Sequence, residues 1–190
     1  MAYYDLNIFS KFKKHLDDEH EVCASIQYES NGDFKLENFR NGFSTDYFDD
    51  FENKVLPQKM CLQENNVWNI HTHPKSNYAY PSYADLERVI NYDIPGSFVV
   101  SRWGVWGIQN VLKTSHKIST SQEIRLKTIL DDLGLATRVK TFPRSTEYSS
   151  KVQKKINTFL KKINRMYLPI KVHFDAWAKI EFRSGSVLKS

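Results

Sequence analysis

The sequence predicts an α/β (α+β) fold, a mixed β-sheet flanked by helices. Three observations carry that expectation. Strand-type runs such as EVCASIQY, NVWNIH and SFVVSRWGVWGI are interleaved with helix-type patterns along the chain. Hydrophobic residues make up 41% and aromatics 14% of 190 residues, which is enough for a core of one-domain size. Seven glycines and six prolines exclude a collagen-like or low-complexity chain.

Asp5 to about Asp17 reads as the first helix, with Leu6, Phe9, Phe12 and Leu16 at helical spacing and Lys11, Lys13 and Lys14 outside. EVCASIQYES follows as a strand, with the β-formers Val22, Ile26 and Tyr28. A turn at SNGD then lets FKLENF return as the second arm of a hairpin. STDYFDDFENKVL reads as a helix with Ser44 or Thr45 as N-cap. NVWNIH is a short strand. SYADLERVINY is a helix capped by Ser82, with Leu86, Val89 and Ile90 as its buried stripe, and SFVVSRWGVWGIQNV reads as two strands around a turn near Arg102–Gly104. SQEIRLKTILDDLG is a helix carrying Ile124, Leu126, Ile129, Leu130 and Leu133, with Gly134 as its expected C-cap. A longer helix spans STEYSSKVQKKINTFLKKINRMY. Its expected apolar face is Val152, Ile156, Phe159, Leu160, Ile163 and Tyr167, and Lys154, Lys155, Lys161, Lys162 and Arg165 cover the rest. IKVHFDAWAKIEF alternates as a final strand.

Charge divides the chain. Residues 1–137 hold 14 Lys+Arg against 19 Asp+Glu, a net of −5; residues 138–190 hold 13 against 3, a net of +10, and the two sum to +5. The expected organisation is a main domain over 1–117 and a basic helical extension over 118–190, packed on the core or on a partner. That extension suits an acidic partner or nucleic acid. No run approaches the roughly 18 apolar residues of a membrane span, and MAYYDLNIFSKFKKHLDDEHE carries charges where a signal peptide needs an apolar core. The expected setting is therefore reducing and cytoplasmic, with no membrane contact. Cys23 and Cys61 form no CxxC pair and read as free thiols. For Cys23 a small buried hydrophobe is the first reading, and a nucleophile paired with a histidine the second.

The chemistry concentrates in NIHTHPKSNYAYPSYADL. Residues i and i+2 of a strand point to the same side, so His71 and His73 face together and Thr72 faces away. Imidazole suits zinc, and a catalytic zinc takes three protein ligands and one open position. Asp85, in the first turn of the next helix, is the candidate third ligand. A plainer reading uses the same residues, because Ser82-x-x-Asp85 is close to a capping box, in which Asp85 satisfies helix N-terminal amides. His15, His20, His116 and His173 stand apart from this stretch.

His71-Thr72-His73, the spacer Pro74 to Pro81, and Ser82-Tyr83-Ala84-Asp85 resemble the signature of the JAMM (JAB/MPN) metalloproteases, in its prokaryotic-type or viral form. The resemblance covers about Leu6 to Leu112 and leaves out the basic extension. The spacer is one residue longer than usual. EVCA, at Glu21 to Ala24, stands where the family often has Glu-x-Cys-Gly, with Ala24 in place of the glycine; Glu19 is the nearest competitor for the glutamate's role and Glu64 a weaker one. The resemblance implies an MPN/JAB-like curved sheet with 1–117 as the catalytic domain. It also implies zinc on His71, His73 and Asp85, Glu21 as general base and acid, and Ser82 as donor to the oxyanion. The implied activity is cleavage after the C-terminus of ubiquitin or a ubiquitin-like protein, as a deubiquitinase-like isopeptidase. The aromatic stretch KSNYAYP with Trp103 and Trp106 would line the path of the substrate tail, or else the tryptophans pack in the core. The alternative is a non-catalytic scaffold of the same fold whose basic end recruits an acidic partner or nucleic acid.

Overall fold

A computed structural model describes residues 6–18, 20–28, 34–41, 67–74, 79–91, 94–112, 116–137 and 149–180. In chain order the elements are α1 (Leu6–Lys13), β1 (Val22–Tyr28), β2 (Phe34–Asn41), β3 (Trp68–Thr72), α2 (Tyr83–Asn91), β4 (Gly96–Ser101), β5 (Gly104–Asn110), α3 (Thr120–Thr137), α4 (Ser150–Ile163) and β6 (Ile170–Ala176). The strands form one sheet in the order β2-β1-β3-β4-β5-β6. Every neighbouring pair is antiparallel except β3 and β4, which run parallel with α2 as the crossover. The mixed sheet and its flanking helices match the expected class. The helix expected over 44–56 lies outside the described residues. Among the described residues, no helix is long and apolar enough to cross a membrane.

Alternation along the strands divides the core between two faces. Ile70, Phe98, Val100 and Val105 pack with Ile8, Phe9 and Phe12 of α1 and with Trp177 and Ile180. Val99, Trp106 and Ile108 point the other way, into a larger cluster with α2, α3 and α4. Helix α1 is shorter than its apolar pattern, because the backbone tightens after Phe12: His15 N donates to Phe12 O at 3.0 Å and Leu16 N to Lys13 O at 3.3 Å.

The basic end of the chain is built into the same sheet. β6 pairs along β5 from Gly104↔Ala176 to Asn110↔Ile170. Ile156, Phe159 and Ile163 of α4 are buried, each gaining on the order of 1.5–3 kcal/mol. Phe159 meets the Trp106 ring edge-on at 5.8 Å. Ser149 caps α4 by accepting from Val152 N. Asn164 accepts from Val172 N at 2.9 Å and donates to Val172 O at 2.8 Å. That side chain occupies backbone groups of β6 that β5 does not use, which blunts an edge strand.

The sequence expectations need correction at several points. Helix α3 continues through Gly134 to Thr137. Gly134 serves close packing there, since a Cβ would lie 2.4 Å from the Tyr80 hydroxyl oxygen. Of the apolar residues that α3 carries, Leu126, Ile129, Leu130 and Leu133 are buried and Ile124 is 62% exposed. Tyr167 is not on the apolar face of α4: it follows the helix at φ 54 and is 97% exposed. The final strand also ends at Ala176, and Trp177 to Ile180 turn into a short helix whose indole N–H donates to Ser101 O at 2.8 Å.

His173 sits across from Gly107, where a Cβ would overlap the imidazole ring at 2.0 Å. Burial pushes its pKa below the ordinary 6.5, Asp175 raises it and Lys179 lowers it. A depressed histidine is neutral in the fold and protonates more readily when unfolded, so its contribution is fully present above pH 6.5 and is lost as pH falls below that value. Urea melts between about pH 7 and pH 5 should therefore show His173→Phe losing less stability on acidification than wild type. Equal losses would show that His173 does not set the acid response.

Candidate metal centre

The centre forms where β3 ends. Ile70 faces the α1 side of the sheet, so His71 faces α2. His73, just past the strand, is held by its backbone N–H donating to Val100 O at 2.8 Å. Pro74 follows and offers no N–H to extend the ladder. Residues 75–78, with most of the aromatic stretch, lie outside the described residues. The chain is pinned again at Ala79, whose carbonyl accepts from the Trp106 indole at 2.9 Å.

Ser82 then caps α2. Its Oγ accepts from Asp85 N at 3.2 Å, and Asp85 Oδ2 accepts from Ser82 N at 2.7 Å. This is the reciprocal box expected from Ser-x-x-Asp. The cap does not displace the other role of Asp85. Its Oδ1 lies 3.1 Å from His71 Nε2, and its Oδ2 lies 3.3 Å from His73 Nε2. The two imidazole centroids are 5.2 Å apart. His71, His73 and Asp85 are 8%, 5% and 7% exposed. Each offers one ligand atom, all lie within 4.8 Å of one another, and together they could hold a metal ion. Among the described residues no other such group occurs.

The electrostatics fit a cation. Burial alone would push the Asp85 carboxyl up, but His71 and His73 beside it outweigh that and hold it well below the usual carboxylate range. Two imidazoles and one carboxylate are a donor set for a borderline divalent metal. Glu21 brings a second carboxylate, with Oε1 3.8 Å from His73 Nε2 and a partly exposed side chain. Glu19 and Glu64 lie outside the described residues.

Thr72 is a positioning residue that the sequence reading missed. It is fully buried, and its Oγ1 accepts from Val22 N at 2.8 Å. That bond ties the start of β1, one residue after Glu21, to the stretch that carries both histidines. The signal in the sequence was a hydroxyl between two histidines, facing the opposite side of the strand.

Ser82 differs from the expectation in one respect. Its hydroxyl oxygen is 2.7 Å from Asp85 Oδ2. An ionised carboxylate only accepts, so the Ser82 proton is committed to Asp85 and is not free for another acceptor. Cys23 also departs from the reading of a free thiol: it is buried, and it is disulfide-bonded. A nucleophilic role for it is thereby removed. Trp103 and Trp106 are buried, so they pack in the core and do not line a path for substrate. Of the other histidines, His15 pairs with Asp18 at 2.7 Å and His20 is exposed; neither they, His116 nor His173 joins the centre.

Compared with known protein families, with curated proteins and with solved structures, the chain matches none of them.

Ser82 is placed to orient Asp85. Ser82→Ala should lower stability by roughly 1 kcal/mol through loss of the cap, and weaken metal binding by about ten- to a hundredfold through loss of the bond to the ligand. Chelator competition and thermal melts on the same samples separate the two effects. Unchanged affinity with lowered stability would leave Ser82 as a cap alone.

Proposed function

We propose that this chain is a zinc-dependent hydrolase of the JAMM type, an isopeptidase or peptidase that cuts after the C-terminus of ubiquitin or a ubiquitin-like protein. The observation that carries the reading is the buried His71, His73 and Asp85 group with a second carboxylate, Glu21, 3.8 Å from His73. Three ligands leave one coordination position open, as a catalytic zinc requires. A metal held by them would polarise a carbonyl and lower the pKa of water.

Within that reading Glu21 takes the proton of the attacking water on a carboxylate oxygen and passes it to the leaving amine nitrogen. Its partly exposed side chain lets it reach solvent and substrate, which the buried Asp85 does not. Ser82 holds Asp85 through its N–H and its hydroxyl. An oxyanion-donor role for Ser82, implied by the resemblance, requires its hydroxyl to turn away from Asp85. The substrate class rests on the resemblance of the motif and on the extended, narrow tail that such a reaction needs. A reducing cytoplasm is not part of the proposal, because persistent disulfides are rare there and Cys23 is in one.

The purified chain should carry about one zinc, and His71→Ala with His73→Ala should remove it. Glu21→Gln should keep the metal and the fold and lose about a hundredfold or more of turnover on a fusion of a ubiquitin-like protein to a reporter. Full zinc occupancy in the double histidine variant would overturn the site. Normal cleavage by Glu21→Gln would overturn the role of Glu21, and cleavage lost in Glu19→Gln instead would move the base by two residues.

A further inference from the structure

We infer that the outer face of α4, together with Tyr167, is a binding surface for single-stranded nucleic acid. At about 100° per residue, Lys151, Lys154, Lys155, Lys161 and Lys162 fall within one arc of about 120° on that helix, opposite the buried Ile156, Phe159 and Ile163. Those lysines are exposed, and Arg165 continues the stripe in the turn that follows. The stripe is about 16 Å long at 1.5 Å per residue. Lys162 pairs with Asp132 at 2.8 Å; Lys151, Lys154, Lys155, Lys161 and Arg165 have no acidic partner among the described residues. The described segment 149–180 holds a single acid, Asp175, which pairs with Lys179. The positive field is therefore not neutralised within its own segment.

A basic helix face alone is most often just solvated. The second observation is Tyr167. Its ring is 97% exposed while Met166 and Leu168 on either side are buried, so the backbone is anchored and the ring projects from it. Its φ of 54 is a left-handed conformation, unfavourable for a bulky side chain and ordinarily given to glycine or asparagine after a helix. Stability alone favours glycine here, and burial gives the tyrosine nothing. Val111 N donates to Pro169 O at 2.8 Å, which brings the exposed Val111 and Leu112 to the same end of the sheet. An exposed aromatic at the end of a cationic stripe combines the two features that bind single strands: cations track phosphates and a ring stacks on a base. An acidic protein would use the cations and leave the ring idle.

The surface is separate from the metal centre. β3 and β4 are parallel and end at the histidines, and β5 runs back from there. Asn110, Val111, Pro169 and Tyr167 therefore lie toward the opposite end of the sheet.

The test uses the full chain and a fluorescein-labelled oligothymidylate of about 20 nucleotides, read by anisotropy from about 50 to 200 mM salt. About five phosphate contacts at 0.7 each predict a slope of log affinity against log salt near −3.5. Lys154→Gln with Lys161→Gln should flatten that slope by about 1.4. Tyr167→Phe should bind as wild type, and Tyr167→Ala should lose about tenfold. Tyr167→Gly should lose as much while melting no lower than wild type, because glycine relieves the left-handed strain. The His71→Ala, His73→Ala variant should bind the oligonucleotide unchanged, so the outcome is independent of the hydrolase reading. Absence of saturable binding at about 50 mM salt, or unchanged affinity in Tyr167→Ala, would overturn the proposal. So would polyglutamate competing as well as unlabelled oligonucleotide, which would assign the face to an acidic protein.

Discussion

The parallel pairing of β3 with β4 decides what can meet at the candidate metal centre. Parallel strands cannot be joined by a tight turn, so the chain must leave the end of β3, cross over one face of the sheet and begin β4 at the other end. Helix α2 is that crossover. The helix has to start beside the end of β3, and its first turn therefore faces the last residues of the strand. His71 and His73 stand at that strand end and Asp85 stands in that first turn. The helix N-terminus also carries partial positive charge and spare N–H groups, which favour a carboxylate there. The same topology fixes where the N-terminal region must arrive. β1 lies antiparallel to β3 with Cys23 opposite His71, so Glu21, just before β1, comes to the same end of the sheet. The Thr72 hydroxyl fastens that approach by taking the Val22 N–H.

A structural explanation of this cluster accounts for only part of it. Capping α2 needs one carboxylate oxygen and one hydroxyl, and Asp85 Oδ2 with Ser82 supplies both. It does not need two buried imidazoles against the same carboxylate. Burying such a group costs stability unless it is paired, and apolar residues of similar size commonly fold at least as well. The rest of β3 and β4 shows what this part of the sheet prefers, since Ile70, Phe98, Val99 and Val100 are apolar and buried. Ser25, Asn69, Ser97, Ser101 and Asn110 are buried as well, but the two buried imidazoles and the carboxylate gather where β3 finishes, and there a cation would relieve the crowding of Nε2 atoms on Asp85. Local departures from an apolar core of this kind are expected at functional sites.

What was legible in the sequence had a short physical range. Two histidines at i and i+2, and Ser-x-x-Asp at a helix start, depend only on strand and helix periodicity, and the geometry follows from those periods. The β1–β2 hairpin and the β4–β5 hairpin were equally local. The misreadings came from packing across the fold. Gly134 looked like a helix end because glycine is the usual C-cap, but Tyr80, more than fifty residues earlier, needs that space. Tyr167 fitted the apolar stripe of α4 by spacing, yet the chain has left the helix there, at φ 54, and the ring is exposed between the buried Met166 and Leu168. The direction of the Ser82 proton was not readable either. It depends on Asp85 being ionised, and that follows from the two imidazoles that fold against it.

The segment outside the family resemblance is also the segment that finishes the fold. β6 covers the edge of β5, Asn164 covers part of β6, and α4 shields Trp106. A separable basic arm would need none of these contacts. The lysines of α4 are therefore not on a tether. They are fixed in orientation by Ile156, Phe159 and Ile163 on the opposite side of the helix. A fixed array of cations loses less entropy when it meets a polyanion than a disordered arm does. Tyr167, just before β6, lies toward the end of the sheet opposite His71 and His73, so the candidate metal centre and that ring do not share a site.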